Sequence, residues 1–458
     1  MDTKKLRQKI LDLAIRGKLV PQDPNDEPAF VLLERIKAEK ERLIKEGKIK
    51  RSKKTTKTSD TPHYENLPFE IPKGWCWCRF QDCMDVRDGT HDTPKYVEKG
   101  YPLITSKDFK NGKFDLSKTK YISSTDYENI IKRSKVEVGD ILYSMIGGNI
   151  GSMIQVRHEN YFEMAIKNVA LFKPYSSKLI CTEYVAFLLE SKIDEYQSIA
   201  IGGAQPFVGL DVFRNTFVPL PPLTEQQRIA AEIGRMFALI EHIEQNKNDL
   251  QTTIKQAKSK ILDLAIHGKL VPQDPNDEPA SEFLKRINPK TEITCDNAHY
   301  TQLPKGWSVA PMQILCSLID GNKQNGIERI NLDVKYLRSE RDYKTLTSGK
   351  YIPANSFLIL VDGENSGEVF KTPIEGYQGS TFKQLSINEN MNTEYLLQVI
   401  NFYRKLLREN KVGSAIPHLN KKLFKEIKVS IPPYREQQRI VDAINKAFMY
   451  LDMIMESL

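Results

Sequence analysis

No run of 18 apolar residues occurs in these 458 residues, so a membrane-spanning helix is not expected. Residues 1–18 lack a long apolar core followed by small residues, which argues against a secretory signal. Six cysteines are too few for a disulfide framework, and a reducing, cytoplasmic setting is the expectation. Seven histidines form no nucleophile–base pattern. No Gly-x-x-x-x-Gly-Lys-Ser/Thr loop is present, so ATP hydrolysis by this chain is not expected. What remains is ordinary in bulk: 40% hydrophobic and 28% charged residues exclude a wholly disordered or collagen-like chain. At roughly 150 residues per domain, the length allows about three units.

Net charge is +8, but its distribution is uneven. Residues 45–57 hold seven Lys/Arg and one Glu, residues 67–218 hold 19 basic and 19 acidic, and residues 299–431 hold 18 and 13. Bulk charge is therefore weak evidence for a nucleic-acid partner, and 45–57 reads as a solvated linker.

Repetition is the strongest signal. ILDLAIRGKLVPQDPNDEPA at 10–29 returns at 261–280 with the single change Arg16 to His267. Pro-Lys-Gly-Trp stands at 72–75 and 304–307, and Pro-Pro-x-x-Glu-Gln-Gln-Arg-Ile at 221–229 and 432–440. Thr182-Glu183-Tyr184 echoes Thr393-Glu394-Tyr395, and 202–206 echoes 413–417. The offset falls from 251 to 232 to 211, so the second copy is shorter in its linker and again in the domain that follows.

After the first Pro-Pro, apolar residues fall at Ile229, Ile233, Met236, Ile240, Ile243, Leu250, Ile254, Ala257, Ile261 and Leu264. The alternating four-and-three spacing is a heptad seam. Thr224 reads as its N-cap with Gln227 completing a capping box, and Gly268 as its stop. A helix over 225–266 would be about 63 Å long at ~1.5 Å per residue. The same rhythm appears at Ile440, Ile444, Ala447, Leu451, Ile454 and Leu458, and at Leu6, Ile10 and Leu13. The second copy of the long helix is thus divided between the two ends of the chain, as in a cyclic permutation. Ile229, Ile240, Leu264, Ile440 and Leu451 are expected as seam positions. The expectation is an antiparallel pair of long helices, a pseudo-two-fold axis, and chain ends that meet.

Between the helices, short Val/Ile/Tyr/Phe-rich runs bounded by Gly, Asn and Asp read as strands and hairpins. Each region also carries a helical stretch near Thr182 or Thr393, so the fold class is α+β. The divisions are 1–46, an N-terminal helical segment; 47–66, a basic linker; 67–220, the first domain; 221–298, the central helix and linker; 299–431, the second domain; and 432–458, the C-terminal helix.

Catalytic motifs fail on inspection. Ile431-Pro432-Pro433-Tyr434 has Ile where an amino-methyltransferase needs Asn or Asp to accept from the target amine, and Leu220-Pro221-Pro222-Leu223 fares no better. Both read as lead-ins to helices. The 147–151 run is a hairpin turn rather than a dinucleotide fingerprint. Cys76, Cys78 and Cys83 lack the second pair of a structural zinc site, although His91 could supply a fourth ligand, and they read as reduced core thiols. Glu46-Gly47-Lys48 sits in the charged linker without the strand a nuclease would need.

Two similar domains held apart by a stiff helix pair suit two half-sites on one duplex. Half-sites about 34–36 Å apart fit within such a spacer. The chain resembles the specificity subunit of type I restriction–modification systems. The resemblance rests on the Pro-Pro-x-x-Glu-Gln-Gln-Arg-Ile helix starts, the paired ILDLAIxGKLVPQDPNDEPA segments, and Arg87-Asp88-Gly89-Thr90-His91-Asp92-Thr93-Pro94. It implies two target-recognition domains that read a split, asymmetric DNA site. It also implies docking of two methyltransferase and two restriction–translocase subunits, with no catalysis in this chain. S-adenosylmethionine, ATP and Mg are then expected on those partners.

By residue chemistry, DNA contacts are expected in the first domain at Thr90, His91, Thr93, Lys95, Tyr96, Ser106, Lys107, Asn149, Lys167 and Gln205. In the second they are expected at Asn322, Lys323, Asn325, Arg329, Tyr336, Arg338, Arg341, Asn365, Lys383 and His418. Glu225, Gln226, Gln227 and Arg228, with Glu436, Gln437, Gln438 and Arg439, read equally as solvated helix faces or as a duplicated partner-docking surface. The alternative for the whole chain is a protein–protein adaptor that binds two copies of one partner and no DNA.

Overall fold

The computed structural model describes residues 2–51, 67–289, 303–412 and 417–458. The chain divides into two units, Met1–Gln245 and Asn246–Leu458. One 44-residue helix, Leu223–Ile266, contributes its first part to the first unit and its last part to the second.

The first unit opens with the helix Thr3–Ile15, capped by the Asp2 carboxylate on Lys5 N–H at 3.0 Å. Gly17 ends it at φ +67°. Gly17 N–H bonds Ala14 C=O at 3.1 Å, and Lys18 N–H bonds Leu13 C=O at 2.8 Å. This is a Schellman closure, which satisfies two of the helix's last carbonyls. The second unit repeats it at Gly268, φ +66°, with bonds to Ala265 and Leu264 at 3.3 and 2.8 Å. A second helix follows in each unit: Ala29–Lys45 in the first and Ala280–Ile287 in the second.

Each unit pairs its leading helix antiparallel with the start of the next long helix. In the first, Arg7 reaches Glu241 at 3.5 Å and stacks on Phe237, while Asp26, beyond the helix end, bonds Arg228 at 2.6 Å. In the second, Lys247 donates to the Leu458 backbone oxygen and Lys258 pairs with Asp452, each at 2.5 Å, while Asp277 bonds Arg439 at 2.7 Å. The permuted-repeat expectation holds at this level. Meeting of the chain's ends concerns Met1, which lies outside the described residues, as do 52–66 of the basic linker.

Both domains are α+β and share a frame. A two-stranded antiparallel ribbon closes each: Cys76–Arg79 on Phe217–Leu220, and Ser308–Pro311 on Lys428–Ile431. Each also has a four-stranded antiparallel sheet. In the first domain the spatial order is Met84–Asp88, Val169–Pro174, Ile141–Ser144, Met153–Gln155; in the second it is Cys316–Ile319, Phe382–Ile387, Phe357–Leu360, Val369–Lys371. Counted along the chain, both orders are first, fourth, second, third. The domains differ in what is inserted between the first and second strands. The first carries Tyr96–Val97, Tyr101–Ile104, Lys120–Ile122 and the helix Ser124–Ser134. The second carries two long strands, Asn322–Leu332 and Thr345–Ile352, curled into a closed three-stranded barrel with Gly376–Gln378.

The heptad seam is only partly realised. Ile229, Ile233, Ile240, Ile254, Ile440 and Ile444 are buried, but Ile243, Leu250 and Ile454 are exposed. The register drifts near the end of the long helix. Ile261 and Leu264 are half-buried there, as is Leu451 in the C-terminal helix, whereas Leu262, Ala265 and Ile266 are buried. The physical reason is a change of neighbour. The last turns face Phe283, Leu284 and Trp307 of their own unit, and the first helix likewise buries Leu11 and Ala14 rather than Leu13. Thr224 is not a cap either: the helix begins at Leu223, and the Thr224 hydroxyl donates to Asp26.

Candidate nucleic-acid interface

The repeated motifs meet in one polar latch per unit. Trp75 Nε1–H donates to Glu225 at 2.9 Å, and Gln22 Nε2 donates to the same carboxylate at 2.7 Å. In the second unit Trp307 and Gln273 do the same to Glu436 at 3.1 and 3.2 Å. Gly74 C=O accepts from Ala29 N–H at 2.9 Å, and Gly306 C=O from Ala280 N–H at 2.8 Å. Gly17 and Gly268 pack so closely on Pro72 and Pro304 that a β-carbon would fall 2.3 and 2.2 Å from the ring Cγ. Burial pushes the Glu225 and Glu436 carboxyls above the usual carboxylate range, against the hydrogen bonds they accept. The Arg228 guanidinium holds Asp26 below it.

This corrects the docking expectation for four of its eight residues. Glu225, Gln226, Glu436 and Gln437 are buried. Gln226 bridges Cys181 N–H at 3.0 Å and Pro221 C=O at 2.9 Å; Gln437 bridges Asn392 N–H at 3.2 Å and Pro432 C=O at 3.0 Å. A buried amide needs such partners, so these side chains tie each domain to its helix. Gln227 and Gln438 are exposed, and Arg228 and Arg439 are half-buried beside Asp26 and Asp277.

In the first domain a groove brings together Tyr96, Ser106, Lys107, Asn149, Lys167 and Gln205. Asn149 Nδ2 donates to Ser106 C=O at 3.2 Å, and Gly147 N–H donates to Pro206 C=O at 2.7 Å, which clips the 147–149 turn to the 202–206 loop. That turn joins two antiparallel strands, as a hairpin should. Thr90, His91 and Thr93 line an adjoining hollow with Arg133. Buried Asp88 anchors it, accepting from Arg133 and contacting His91 Nε2 at 2.8 Å. Thr90 forms a β-bridge with Lys167, whose ammonium bonds Thr93. Lys95 is exposed beside Tyr96.

In the second domain the expected residues are less concentrated. Arg329 pairs with Glu375, Arg338 with Glu368, Arg341 with Asp333, and Lys383 with Asp320. His418 Nδ1 lies 2.6 Å from Asp362. These pairings offset much of the charge that made the four cations attractive from sequence. Tyr336 and Arg341 line a shallow hollow with Tyr343. Asn365 follows Gly363, whose N–H bonds Pro417 C=O at 2.8 Å, the counterpart of the Gly147–Pro206 clip. Asn322, Lys323 and Asn325 are exposed on the barrel. Two residues missed from sequence, Ser348 and Lys350, stand opposite Asn325 and Lys323. Only strand register reveals that.

Cys78, Cys83 and Cys316 are buried and Cys76 and Cys181 half-buried, all as free thiols. Burial pushes Cys76 and Cys316 up to about 12. Among the described residues no His, Cys, Asp and Glu group is placed to hold a metal ion, and no helix is long and apolar enough to cross a membrane.

A family model described as the type I restriction modification DNA specificity domain matches residues 72–252 and 304–453. The EcoAI specificity subunit of Escherichia coli is 31% identical over 386 residues, which cover 69% of this chain and 63% of that one. The EcoEI specificity subunit of Escherichia coli is 33% identical over 358 residues, covering 62% and 54%. The chain thus spans less than two thirds of the length of either relative. A solved chain, from work on assembly and conformational transition of the type I R-M system, shares the fold with TM-score 0.56 at 16% identity, covering 85% of this chain and 94% of that one. With the family model matched twice, once per repeat, the chain belongs to the type I restriction modification DNA specificity domain family.

Proposed function

We propose that this chain is the DNA specificity subunit of a type I restriction–modification complex. Each domain, 67–220 and 299–431, reads one half of a split, asymmetric duplex site. The observation that carries this is the shared four-stranded frame with different insertions: a common platform, tied to its helix by the same latch, presents two different polar surfaces. Different surfaces call for different half-sites. The reading gives the chain no catalysis. Two methyltransferase and two restriction–translocase subunits supply it, together with S-adenosylmethionine, ATP and Mg, and the long helices dock them. The exposed apolar residues Leu239, Ile243, Leu250, Met449 and Met453 on those helices support a protein partner there.

Duplex binding measured across ionic strength tests the reading. A protein that neutralises 6–10 phosphates loses about 10³–10⁵ in affinity between 50 and 200 mM salt. A steep fall, with one bipartite duplex preferred, is the expected result. Affinity that stays flat for every duplex would favour the adaptor reading instead.

A further inference from the structure

The second domain's barrel has two faces of opposite character. Antiparallel partners share a face, and faces alternate along a strand. Asn322 stands opposite Tyr351 and Gln324 opposite Gly349. Around Gly349 that face is filled: buried Tyr377 leaves no room for a β-carbon there, which would fall 2.6 Å from its ring, and the Tyr377 hydroxyl donates to Ile327 C=O at 2.7 Å. Lys323 opposite Lys350 and Asn325 opposite Ser348 form the other face. Lys323, Asn325 and Ser348 are exposed and Lys350 is half-buried. Beside them Asp320 bonds Lys350 at 2.9 Å and Lys383 at 2.5 Å, so two lysines share one carboxylate, and with Lys323 the face keeps a positive excess. The register shifts between Asn325 and Arg329; such a bulge bends a ribbon and sharpens its twist.

We infer that this outer face, Lys323, Asn325, Ser348 and Lys350, enters the DNA major groove, with the lysines on phosphates and Asn325 and Ser348 on base edges. The inference rests on the DNA-reading proposal and deepens it. A two-stranded ribbon fits the width of the major groove, and an Asn amide matches the N6/N7 edge of adenine in a bidentate pair. Positive charge on the same face as the amide and hydroxyl suits phosphates flanking the bases read. The opposite face, occupied by Tyr377, holds the strands rigid.

The full chain with its methyltransferase partners is assayed on a duplex library, first unsubstituted. Asn325→Ala and Ser348→Ala are expected to relax base preference in one half-site only, by about ten- to a hundredfold at the affected base pair. Lys323→Ala is expected to weaken binding to all sequences alike and to reduce the salt slope by about one. Replacing adenine by 7-deazaadenine in that half-site should weaken the unsubstituted chain but not the Asn325→Ala variant. Asn149→Ala, in the other domain, should leave this half-site unchanged. An unsubstituted chain with a clear split site and variants that keep its full preference would overturn this inference alone. An unsubstituted chain with no sequence preference would overturn the DNA reading as well.

Discussion

Replacing Gly17 by Ala tests whether the duplicated latch holds each domain to its helix. Gly17 has φ +67°, and a β-carbon there would fall 2.3 Å from Pro72 Cγ, 2.8 Å from its Cδ and 3.2 Å from Trp75 Cζ2. The left-handed backbone alone costs a non-glycine residue about 1–2 kcal/mol. Forcing a methyl group into packed surroundings costs about 1–3 kcal/mol more. Gly47 supplies the control. It ends the Ala29–Lys45 helix at φ +71° with the same pair of closing bonds, Gly47 N–H to Ile44 C=O and Lys48 N–H to Leu43 C=O, both 3.0 Å. Among the described residues, no atom beyond its own chain neighbours lies within 4 Å of where its β-carbon would be. Gly47→Ala should therefore lose only the backbone contribution. Urea unfolding followed by tryptophan fluorescence, with Trp75 and Trp307 as local reporters, gives both values. Gly268→Ala should behave as Gly17→Ala does, since its β-carbon would fall 2.2 Å from Pro304 Cγ. Equal losses at Gly17 and Gly47 would refute the reasoning.

Three further outcomes follow from the same geometry. Asp26→Asn, which leaves Arg228 without its carboxylate, should destabilise by about 1–3 kcal/mol at neutral pH. Because Arg228 lowers the folded-state pKa of Asp26 below the ordinary 3.8, its contribution is present above the unfolded value and is lost as pH falls through the folded one. The gap to the unsubstituted protein should therefore close in acid; a gap that acid leaves unchanged counts against the ion pair. Trp75→Phe should leave the buried Glu225 with Gln22 as its remaining latch donor, at a loss of about 1.5–3 kcal/mol for a hydrogen bond to a charged group; calorimetry showing no change would deny the latch. Cys76 and Cys316, held protonated by burial, should resist iodoacetamide at about pH 8 until urea unfolds the chain, and rapid labelling of the native protein would contradict their placement.

Much of this architecture was legible in the sequence because it is written twice. The repeated segments pointed to the paired helices, the stop at Gly268 and the division of the last helix between the ends of the chain. The inward role of their polar residues was not legible: Glu225 and Gln226 sit in the first turn of a helix and look solvated until Trp75, Gln22 and the Cys181 amide are placed around them. The candidate interface divided along the same line. In the first domain six of the expected residues converge on one groove. In the second, Arg329, Arg338 and Lys383 are engaged by acids 46, 30 and 63 positions away, separations at which charge pairing cannot be read from a linear chain. Ser348 and Lys350 were missed for the related reason that only strand register sets them opposite Asn325 and Lys323.

Genome-wide mapping of methylated bases in cells carrying the complete complex tests the central claim most directly. The account predicts two short, unlike blocks separated by a gap of fixed length and indifferent sequence, with one block changing when 299–431 is exchanged for another domain of the family. One continuous motif, or a pattern in which that exchange alters both blocks, would contradict it.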